Sequence, residues 1–340
     1  MKHPFQSTTA AHTVVRVAEQ LGWNLADPEH FLRRVQHVEF GLSAELEFAA
    51  LLRWLGTCPF VHRLSEDVLE DASQKVWQVP DLFAVFSANG QICSTLIEVK
   101  TTDDGVLKFK KDYLEHLQAY ARLLSQPLLI AWHPRNIGFW MLVDPLHAHT
   151  VDGEIFVLNI ETAMKNDLMG VLAGDFYITP MKGAGLRIEA DRVSEKEPAE
   201  GGYKAVYQIE KAYLHDSGGN RMEDVPNSIF WIIVSAMEDR QRVTDHGIVE
   251  SFLASGGMTR AQSVLRTAVG FPLSEDQRIH WKAVGTNLNL IISSTELRSD
   301  AQAHFGTFVQ YIFNQQPQVM PGFLPQAWRN GLGRSGSERK

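Results

Sequence analysis

The sequence predicts an α/β protein in which a mixed β-sheet is flanked by helices. Three neighbouring segments support this fold class: a β-hairpin over residues 80–100, a helix over residues 112–124 and a short apolar strand over residues 127–133. A helix between two strands favours a β-α-β crossover, which makes those two strands parallel, whereas the hairpin strands are antiparallel. With 340 residues, the chain is long enough for two domains that each bury a core.

Helices are predicted on the N-terminal side of the hairpin. Residues 8–22 and 27–37 read as short helices, and residues 43–56 read as a longer one whose apolar residues are spaced for burial. Gly56 is a suitable C-cap for this longer helix, because glycine tolerates the left-handed conformation that often ends a helix. Residues 65–75 are acidic and are predicted as a solvated loop or short helix.

The hairpin prediction depends on Asn89-Gly90, a pair in which both residues tolerate the positive φ angles of a type I′ turn. The flanking residues 82–86 and 92–99 are rich in β-branched and aromatic side chains, as strands are. A loop of only these two residues determines which residues of the two strands face each other. A different loop length would shift the register, and a shift of one position would turn every side chain to the other face.

Two acidic residues meet in this register. If Ala88 faces Gln91, then Asp81 faces Glu98 on the partner strand, with Cβ atoms roughly 4.5–5.5 Å apart. Lys100 lies two residues after Glu98 and therefore shares its face of the sheet. The hairpin is thus expected to bring two carboxylates and one ammonium group together.

Opposed carboxylates repel each other and destabilise a sheet, and a divalent cation between them removes the conflict. Carboxylate oxygens suit Mg²⁺ or Mn²⁺, which bind one or two of them and take water or phosphate oxygens as further ligands. The alternative is a salt-bridged surface triad in which Lys100 neutralises Glu98 without any metal.

The chain resembles the PD-(D/E)xK nuclease superfamily in Pro80-Asp81 followed by Glu98-Val99-Lys100. Upstream, "GLSAELEFAALLRWLG" (41–56) resembles the first helix of archaeal Holliday-junction resolvases and similar nucleases, in which a glycine precedes a glutamate by four residues, here Gly41 and Glu45. Residues 107–132 resemble the basic stretch, helix and next core strand of these nucleases. The resemblance covers residues 38–145 and implies a restriction-endonuclease-like core.

The resemblance implies a role for each matching residue. Asp81 and Glu98 would hold the metal, and Lys100 would orient or activate the attacking water or stabilise charge on the phosphate. Glu45 would reach the metal or its water from the helix. These are the tasks of metal-assisted phosphodiester hydrolysis. Glu47 lies two residues further along, on a different helix face, and is expected to be solvated.

Some relatives carry a Gln-x-x-x-Tyr motif on the helix after the basic stretch. If Tyr120 is the tyrosine, the glutamine position holds His116, which shares its helix face, while Gln118 points elsewhere. His116 and Tyr120 would then lie near the substrate, and the alternative is a core-edge tyrosine with a partly exposed neighbour. Three lysines just before the helix are further candidates for phosphate contacts, or are simply solvated: Lys108, Lys110 and Lys111.

The rest of the chain is predicted from composition and periodicity. A strand is expected over residues 138–144, a helix over 160–174 and extended chain over 175–192. Residues 194–204 are charged and contain proline and glycine, so they are predicted as a linker or long loop. Residues 205–214 read as a strand.

A winged helix is one prediction for the C-terminal part. Helices are expected over residues 228–240, 245–254 and 259–269, the third with Thr259 as its N-cap, and a hairpin over residues 279–293. This is the order of a winged helix, which reads DNA with a helix in the major groove. A generic α+β module for interaction or oligomerisation is the alternative.

Four parts of the chain are therefore expected. They are a helical lead-in over residues 1–37, a nuclease domain over 38–192, a C-terminal α+β domain over 205–330 and a disordered tail over 331–340.

Composition limits the location and the partners. Cys58 and Cys93 lack a nearby partner or metal-ligand spacing, which predicts a reducing compartment, and we expect the cytoplasm. The first residues contain no long apolar segment, so neither a signal peptide nor membrane association is expected. A net charge of −8 disfavours non-specific binding to nucleic acid but allows a local basic face.

The function predicted by these residues is that of a metal-dependent DNA endonuclease, restriction-like or resolvase-like. Its target would be chosen by the C-terminal domain or by a partner protein. The alternative is a nuclease-fold subunit that binds nucleic acid or protein without cutting, which the missing glutamine and the acidic charge favour. DNA is the expected partner, and a homodimer and an activating protein are further candidates. The sequence does not separate DNA from RNA as the substrate.

Overall fold

The computed structural model describes residues 44–64, 76–88, 90–180, 182–199, 202–223, 237–243, 247–255, 259–270, 294–304, 309–312 and 323. Several predictions lie outside these residues: the helices 8–22 and 27–37, Gly41, the acidic segment 65–75, the hairpin 279–293 and the tail 331–340.

The first half of the chain builds a central sheet and the helices on its two faces. Its elements are α1 (44–55), β1 (Phe60–Arg63), β2 (Leu82–Ala88), β3 (Gln91–Thr102), β4 (Val106–Lys110), α2 (Lys111–Leu123), β5 (Leu128–Pro134) and β6 (Met141–Val143). The sheet has the strand order β1-β2-β3-β5-β6.

The second half of the chain contains mostly strands. In order, its elements are a 3₁₀ turn (Pro145–His147), β7 (His149–Val151), β8 (Ile155–Asn159), α3 (Ile160–Lys165), a π-helical turn (Met169–Ala173), β9 (Tyr177–Pro180), β10 (Gly185–Ala199), β11 (Gly202–His215), β12 (Arg221–Met222), β13 (Met237–Val243), β14 (Gly247–Ala254), β15 (Thr259–Arg260), α4 (Ala261–Gly270), α5 (Ser294–His304) and β16 (Val309–Ile312).

The central sheet is mixed, as predicted. Strands β2 and β3 are antiparallel, with Ala88 opposite Gln91 and Leu82 opposite Ile97, so the register expected from the two-residue turn is confirmed. Gly90 has a φ angle of 76°, as a type I′ turn requires. Strands β3 and β5 are parallel and are joined through β4 and α2, which confirms the predicted crossover.

The two faces of the sheet pack against different helices, because successive side chains of a strand point in opposite directions. Leu96 and its neighbours on one face pack with residues of α2 such as Leu114 and Leu117. Ile97 and Val99 on the other face belong to the cluster that includes residues of α1. Glu98 shares the face of Leu96, so the fold carries its carboxylate under α2.

Helix α1 ends where the sequence predicts. Gly56 has a φ angle of 90°, and its amide donates to the carbonyl of Arg53 at 3.2 Å. The single helix expected over residues 160–174 is instead α3 and the π-helical turn, and Gly174, with φ of 76°, ends the turn.

The predicted linker over residues 194–204 is wrong. Residues 194–199 and 202–204 belong to two antiparallel strands, and β10 pairs with β11 from Gly185 opposite His215 to Ala199 opposite Gly202. The proline and the charges favoured a loop in the sequence, but the pairing is irregular between Lys196 and Ala199, where Pro198 lies. Proline is tolerated at such irregularities because no ladder hydrogen bond is lost there.

The helices predicted over residues 228–240 and 245–254 are wrong wherever the structure describes them. Met237–Val243 and Gly247–Ala254 are the strands β13 and β14 of a second sheet, ordered β12-β11-β10-β14-β13. Short apolar runs do not distinguish a helix from a strand by periodicity, and here the long β10 offers a pairing edge. Two of the three helices of the predicted winged helix are therefore absent from the described residues.

The third predicted helix is confirmed as α4, although it begins at Ala261 and Thr259 lies in β15 rather than at the N-cap. Val264 and Leu265 of α4 are buried in the same apolar cluster as α1 and β3. Just before α4, Arg260 forms buried ion pairs with Asp167 and, at 3.3 Å, with Asp175. Helix α4 therefore shares the apolar core of the central sheet.

Two further properties concern cysteine and the membrane. Cys58 and Cys93 are both buried free thiols. Among the described residues, none of the helices is long and apolar enough to cross a membrane.

Candidate functional site

The centre of the candidate site is Glu98, whose side chain is only 1% exposed. Lys100 forms an ion pair with Oε1 of Glu98, as the shared face of β3 predicts. The hydroxyl of Tyr113, on α2, donates to the same Oε1 at 2.5 Å and accepts a hydrogen bond from Nζ of Lys100 at 3.3 Å. The three side chains thus form a closed triangle between β3 and α2.

Asp81 lies beside this triangle. It precedes the first pair of the β2–β3 ladder by one residue, and its carbonyl accepts a hydrogen bond at 2.9 Å from the amide of Leu64, the residue after β1. Its carboxylate nevertheless turns to β3 and accepts a hydrogen bond from the amide of Val99 at 2.7 Å. Asp81, Glu98 and Lys100 are therefore close together, and Asp81 lies just before Leu82, the first paired residue of β2.

The protonation of these groups reflects burial and mutual charge. Burial, and then the charge of Glu98, raises the pKa of Asp81 from 3.8 to about 7. Burial disfavours the charge of Lys100, but Glu98 outweighs it and holds the pKa of the ammonium above its ordinary value. Burial and Glu98 also raise the pKa of Tyr113, so its hydroxyl stays protonated and donates.

One atom of the site has no partner. Oε2 of Glu98 is buried and makes no hydrogen bond, while Oε1 is bound by both Lys100 and Tyr113. An unsatisfied buried carboxylate oxygen is costly and needs an explanation. A cation near Asp81 and this oxygen would supply one, and hard oxygen ligands fit Mg²⁺ or Mn²⁺.

The donor set is small. Within the described ranges, no group of three or more His, Cys, Asp and Glu side chains is placed to hold a metal ion. Two carboxylates are compatible with Mg²⁺, which commonly uses one or two protein carboxylates and keeps water and phosphate oxygens as its other ligands. The residues present therefore fit a cation whose coordination is completed by the substrate.

Glu45 approaches the site but is engaged elsewhere. Its Oε2 forms an ion pair with Arg63, the last residue of β1. The Oε2 atom lies 2.6 Å from Nη2 of Arg63 and accepts a hydrogen bond from Nε at 2.8 Å. After burial and Glu98, the Glu45 carboxylate is a smaller contributor to the raised pKa of Asp81, which places the two acids near each other.

Glu47 lies on a different face of α1 from Glu45, but the expectation that it is solvated is wrong. Its Oε1 accepts a hydrogen bond from Nε1 of Trp140 at 2.9 Å and pairs with Nε of Arg266 at 2.7 Å. The side chain is 15% exposed because α4, which the sequence did not place here, covers it.

The helix α2 contributes a residue that the sequence did not select. It is Tyr113, one turn before His116, that contacts Glu98 and Lys100. His116 is half-buried, and Tyr120 packs against the apolar cluster under α2. Gln118 lines a separate cavity with Arg122, as its different helix face predicts.

The three candidate lysines lie around the start of α2. Lys108 and Lys110 are exposed on β4, and Lys111, the first residue of α2, is half-buried. They thus form a basic edge next to the helix that carries Tyr113.

Two residues of the site were missed in the sequence, and one of them had a signal. Tyr113 lies seven residues before Tyr120, a spacing that returns to the same helix face, so a search of that face would have included it. Arg63 had no comparable signal, because it follows from the pairing of β1 with β2 across a long segment of chain.

Known proteins give limited guidance. The chain matches no protein-family model, and no curated protein matches it. Among solved structures, it is similar to a Holliday junction resolvase from the archaeal hyperthermophile Archaeoglobus fulgidus, with 18% sequence identity and a TM-score of 0.31. The match covers 39% of this chain and 95% of the resolvase chain. Function is therefore inferred below from the geometry of the site.

Proposed function

We propose that the protein is a metal-dependent endonuclease that hydrolyses phosphodiester bonds in DNA. The observation that carries this proposal is the buried Oε2 of Glu98, which has no partner while Oε1 is held by Lys100 and Tyr113 and while the charge of Glu98 acts on Asp81. A structural salt bridge needs no such open oxygen. The motif that resembles the PD-(D/E)xK superfamily supplies the same residues in the same order.

Asp81 and Glu98 would hold the cation, Mg²⁺ or Mn²⁺. When bound, the cation would supply a Lewis acid for the phosphate and lower the pKa of a water molecule. Because Glu98 holds Lys100 protonated, the ammonium acts as a donor and positive charge towards the phosphate or the water, and it does not act as a base. By donating to Oε1, Tyr113 holds the Glu98 carboxylate in place and leaves Oε2 as the oxygen without a protein partner.

The DNA would approach along the basic edge formed by Lys108, Lys110 and Lys111, because phosphates are bound mainly by exposed lysine and arginine. His116 would lie on the substrate side of α2, whereas Tyr120 packs against the apolar cluster. Target choice, restriction-like or resolvase-like, would come from the C-terminal residues, from a second copy of the chain or from an activating protein. Activity in the cytoplasm is part of the same proposal.

The test is incubation of the purified protein with plasmid, linear, single-stranded and junction DNA, in Mg²⁺, Mn²⁺ or EDTA. Cleavage should require the cation and should fall by about 100-fold or more in Asp81→Ala, Glu98→Ala and Lys100→Ala, since each removes a group that faces developing charge. The matched control is Glu161→Gln, an exposed acid paired with Lys165 on α3. Wild-type cutting by any of the three variants, or equal cutting in EDTA, contradicts the proposal.

A second candidate function is a binding subunit that holds DNA or a protein without cutting. The observation that favours it is the ion pair between Arg63 and Glu45, which occupies the helix carboxylate that the family resemblance assigns to the metal or its water. The same assay separates the two functions. A subunit of this kind would shift labelled DNA in EDTA and leave every substrate intact in Mg²⁺ or Mn²⁺.

A further inference from the structure

Two aromatic side chains of the edge strand β1 lie on the face of the sheet that carries Glu98. Phe60 and His62 are two residues apart on β1 and so share a face. His62 faces Phe83 of β2, and Phe83 faces Leu96 of β3. Residues that pair directly across two strands lie on the same face, and Leu96 shares its face with Glu98. The three rings are therefore on the same face as the candidate metal ligands.

The rings of Phe60, His62 and Phe83 form one continuous surface, which we call the aromatic platform. Phe60 stacks with His62, with 6.3 Å between the ring centroids and an angle of 26° between the ring planes. Phe60 also meets Phe83 edge to face, with 6.3 Å between the centroids. These separations are typical of interacting aromatic pairs. Each ring is thus oriented by a neighbour, so the platform is preorganised and a ligand that binds it orders few side chains.

The platform is open to solvent, whereas the other face of β2 is not. Phe60 is 50% exposed, His62 is also exposed and Phe83 is half-buried. On the opposite face of the same strand, Leu82 and Ala84 are fully buried. A group of exposed apolar side chains is a candidate binding surface, and flat rings favour a flat ligand.

The platform also lies next to Asp81. Phe83 follows Asp81 by two residues, which places the two residues about 7 Å apart along the strand direction. Successive nucleotides of one strand of B-DNA rise by about 3.4 Å, so this separation corresponds to about two nucleotides. A DNA strand with a phosphate at Asp81 and Glu98 would therefore bring neighbouring bases over the platform.

We infer that the aromatic platform stacks unpaired bases, and that the DNA substrate is single-stranded on one side of the cleaved bond. Aromatic side chains bind single strands because every base has a flat π-face. In a duplex the faces of the bases are covered by neighbouring base pairs, and only the base edges are open in the grooves. The inference rests on the proposed function and deepens it, because it names branched or gapped DNA with unpaired nucleotides as the substrate class.

The first test is DNA binding in EDTA, where no cleavage occurs, measured by fluorescence anisotropy with a labelled single strand and with a blunt duplex of the same sequence. Phe60→Ala and His62→Ala should each weaken binding of the single strand by about fivefold or more and leave binding of the duplex unchanged. Phe60→Trp keeps an aromatic ring and should bind the single strand as the wild type does. Phe60→Leu keeps an apolar side chain without a ring and should bind as weakly as Phe60→Ala, which it replaces if Phe60→Ala does not fold.

The matched control is Leu146→Ala. Leu146 is 81% exposed, but it lies in the turn after β6, the strand at the opposite edge of the sheet. Equal losses of single-strand affinity in Leu146→Ala and Phe60→Ala would show only a general effect of exposed apolar side chains and would overturn the inference. Wild-type affinity of Phe60→Ala for the single strand would overturn it as well.

Cleavage in Mg²⁺ separates this inference from the proposed function. The wild type should cut a duplex with a single-stranded branch faster than a blunt duplex, and Phe60→Ala should raise KM for the branched substrate and leave kcat unchanged. Equal cutting of both substrates, with an unchanged KM in Phe60→Ala, would overturn the inference and leave the proposed function intact. A wild type that binds single strands through Phe60 but cuts no DNA would contradict the proposed function and support the platform.

A second copy of the chain is the alternative occupant, because β1 is an edge strand and edge strands readily pair with other chains. Size-exclusion chromatography of the wild type and of Phe60→Ala at matched concentrations distinguishes the two occupants. The inferred platform predicts the same elution volume for both proteins. A dimer that becomes a monomer in Phe60→Ala, with unchanged affinity for the single strand, would make this surface a protein interface and reject the inference.

Discussion

Tyr113 and Lys100 both donate a hydrogen bond to Oε1 of Glu98, so one carboxylate oxygen is saturated and the other is left open. Tyr113→Phe removes this hydrogen bond without changing the size of the ring. Hydrogen bonds to charged groups contribute about 1.5–3 kcal/mol, so we expect cleavage to fall by about tenfold or more while DNA affinity in EDTA is unchanged.

Tyr120→Phe is the comparison for Tyr113→Phe, because Tyr120 lies on the same helix and packs against the apolar cluster. We expect it to cleave at the wild-type rate. If cleavage is slow in Tyr120→Phe and normal in Tyr113→Phe, the hydroxyl that supports cleavage is that of Tyr120, as the family motif predicts. The positioning role assigned to Tyr113 would then be wrong.

Asp81 should make the protein less stable as the pH rises. Its pKa is 3.8 in its ordinary state and about 7 in the fold, so the folded protein binds a proton that the unfolded chain has released between those values. The stabilisation by this proton is complete below about pH 4 and is lost as the pH passes 7, with a size on the order of 2–4 kcal/mol.

Asp81→Asn checks this stability effect. In EDTA, the melting temperature of the wild type should fall between pH 5 and pH 8, and that of Asp81→Asn should fall less and be higher at pH 8. Mg²⁺ should recover part of the wild-type loss at pH 8 and should have no effect on the variant. A variant that is less stable than the wild type at pH 8 would show that Asp81 stabilises the fold through Val99 and does not strain it.

Cleavage should have the opposite pH dependence. A metal ligand must be deprotonated, so binding of the cation competes with the proton on Asp81. At limiting Mg²⁺, the rate should rise with pH through about 7, with a slope of one proton, and saturating Mg²⁺ should move the midpoint to lower pH. A rate that is flat between pH 6 and pH 8 at both concentrations would exclude Asp81 as the titrating ligand.

His116 carries the prediction made from the helix motif. If it replaces the family glutamine, His116→Ala should cleave more slowly, and His116→Gln should retain much of the rate. Gln118→Ala, which changes a residue of a different cavity, should be silent. Equal cleavage rates in all three variants would mean that neither His116 nor Gln118 contributes to cleavage.

The hairpin could be predicted from sequence because its determinants are local. Asn89-Gly90 fixes the turn, the turn fixes the register, and the register carries Glu98 and Lys100 to one face. The alternation of β3 then accounts for the burial of Glu98 under α2. None of this needs information from distant parts of the chain.

The errors concern residues whose structure depends on distant partners. Residues 247–254, part of a segment predicted as a helix, form β14 because β10 pairs with this strand along seven positions from Gly185 to Asp191. Arg63 reaches Glu45, and Arg266 reaches Glu47, only after separate elements pack together. The spacing of residues within one segment of the sequence does not indicate such contacts between distant segments.

The buried ion pairs of Arg260 have a consequence for autonomous folding. Asp167 and Asp175 are each 1% exposed, and both carboxylates are neutralised by a guanidinium from 85 or more positions further along the chain. A fragment that ends at residue 192 would keep both acids and lose Arg260. Removing one partner of a buried pair costs about 3–5 kcal/mol, a large share of the stability of a typical domain. The part of the chain that carries Asp81 and Glu98 is therefore expected to depend on the later part for its folding, so a fragment that ends at residue 192 should be much less stable than the full chain.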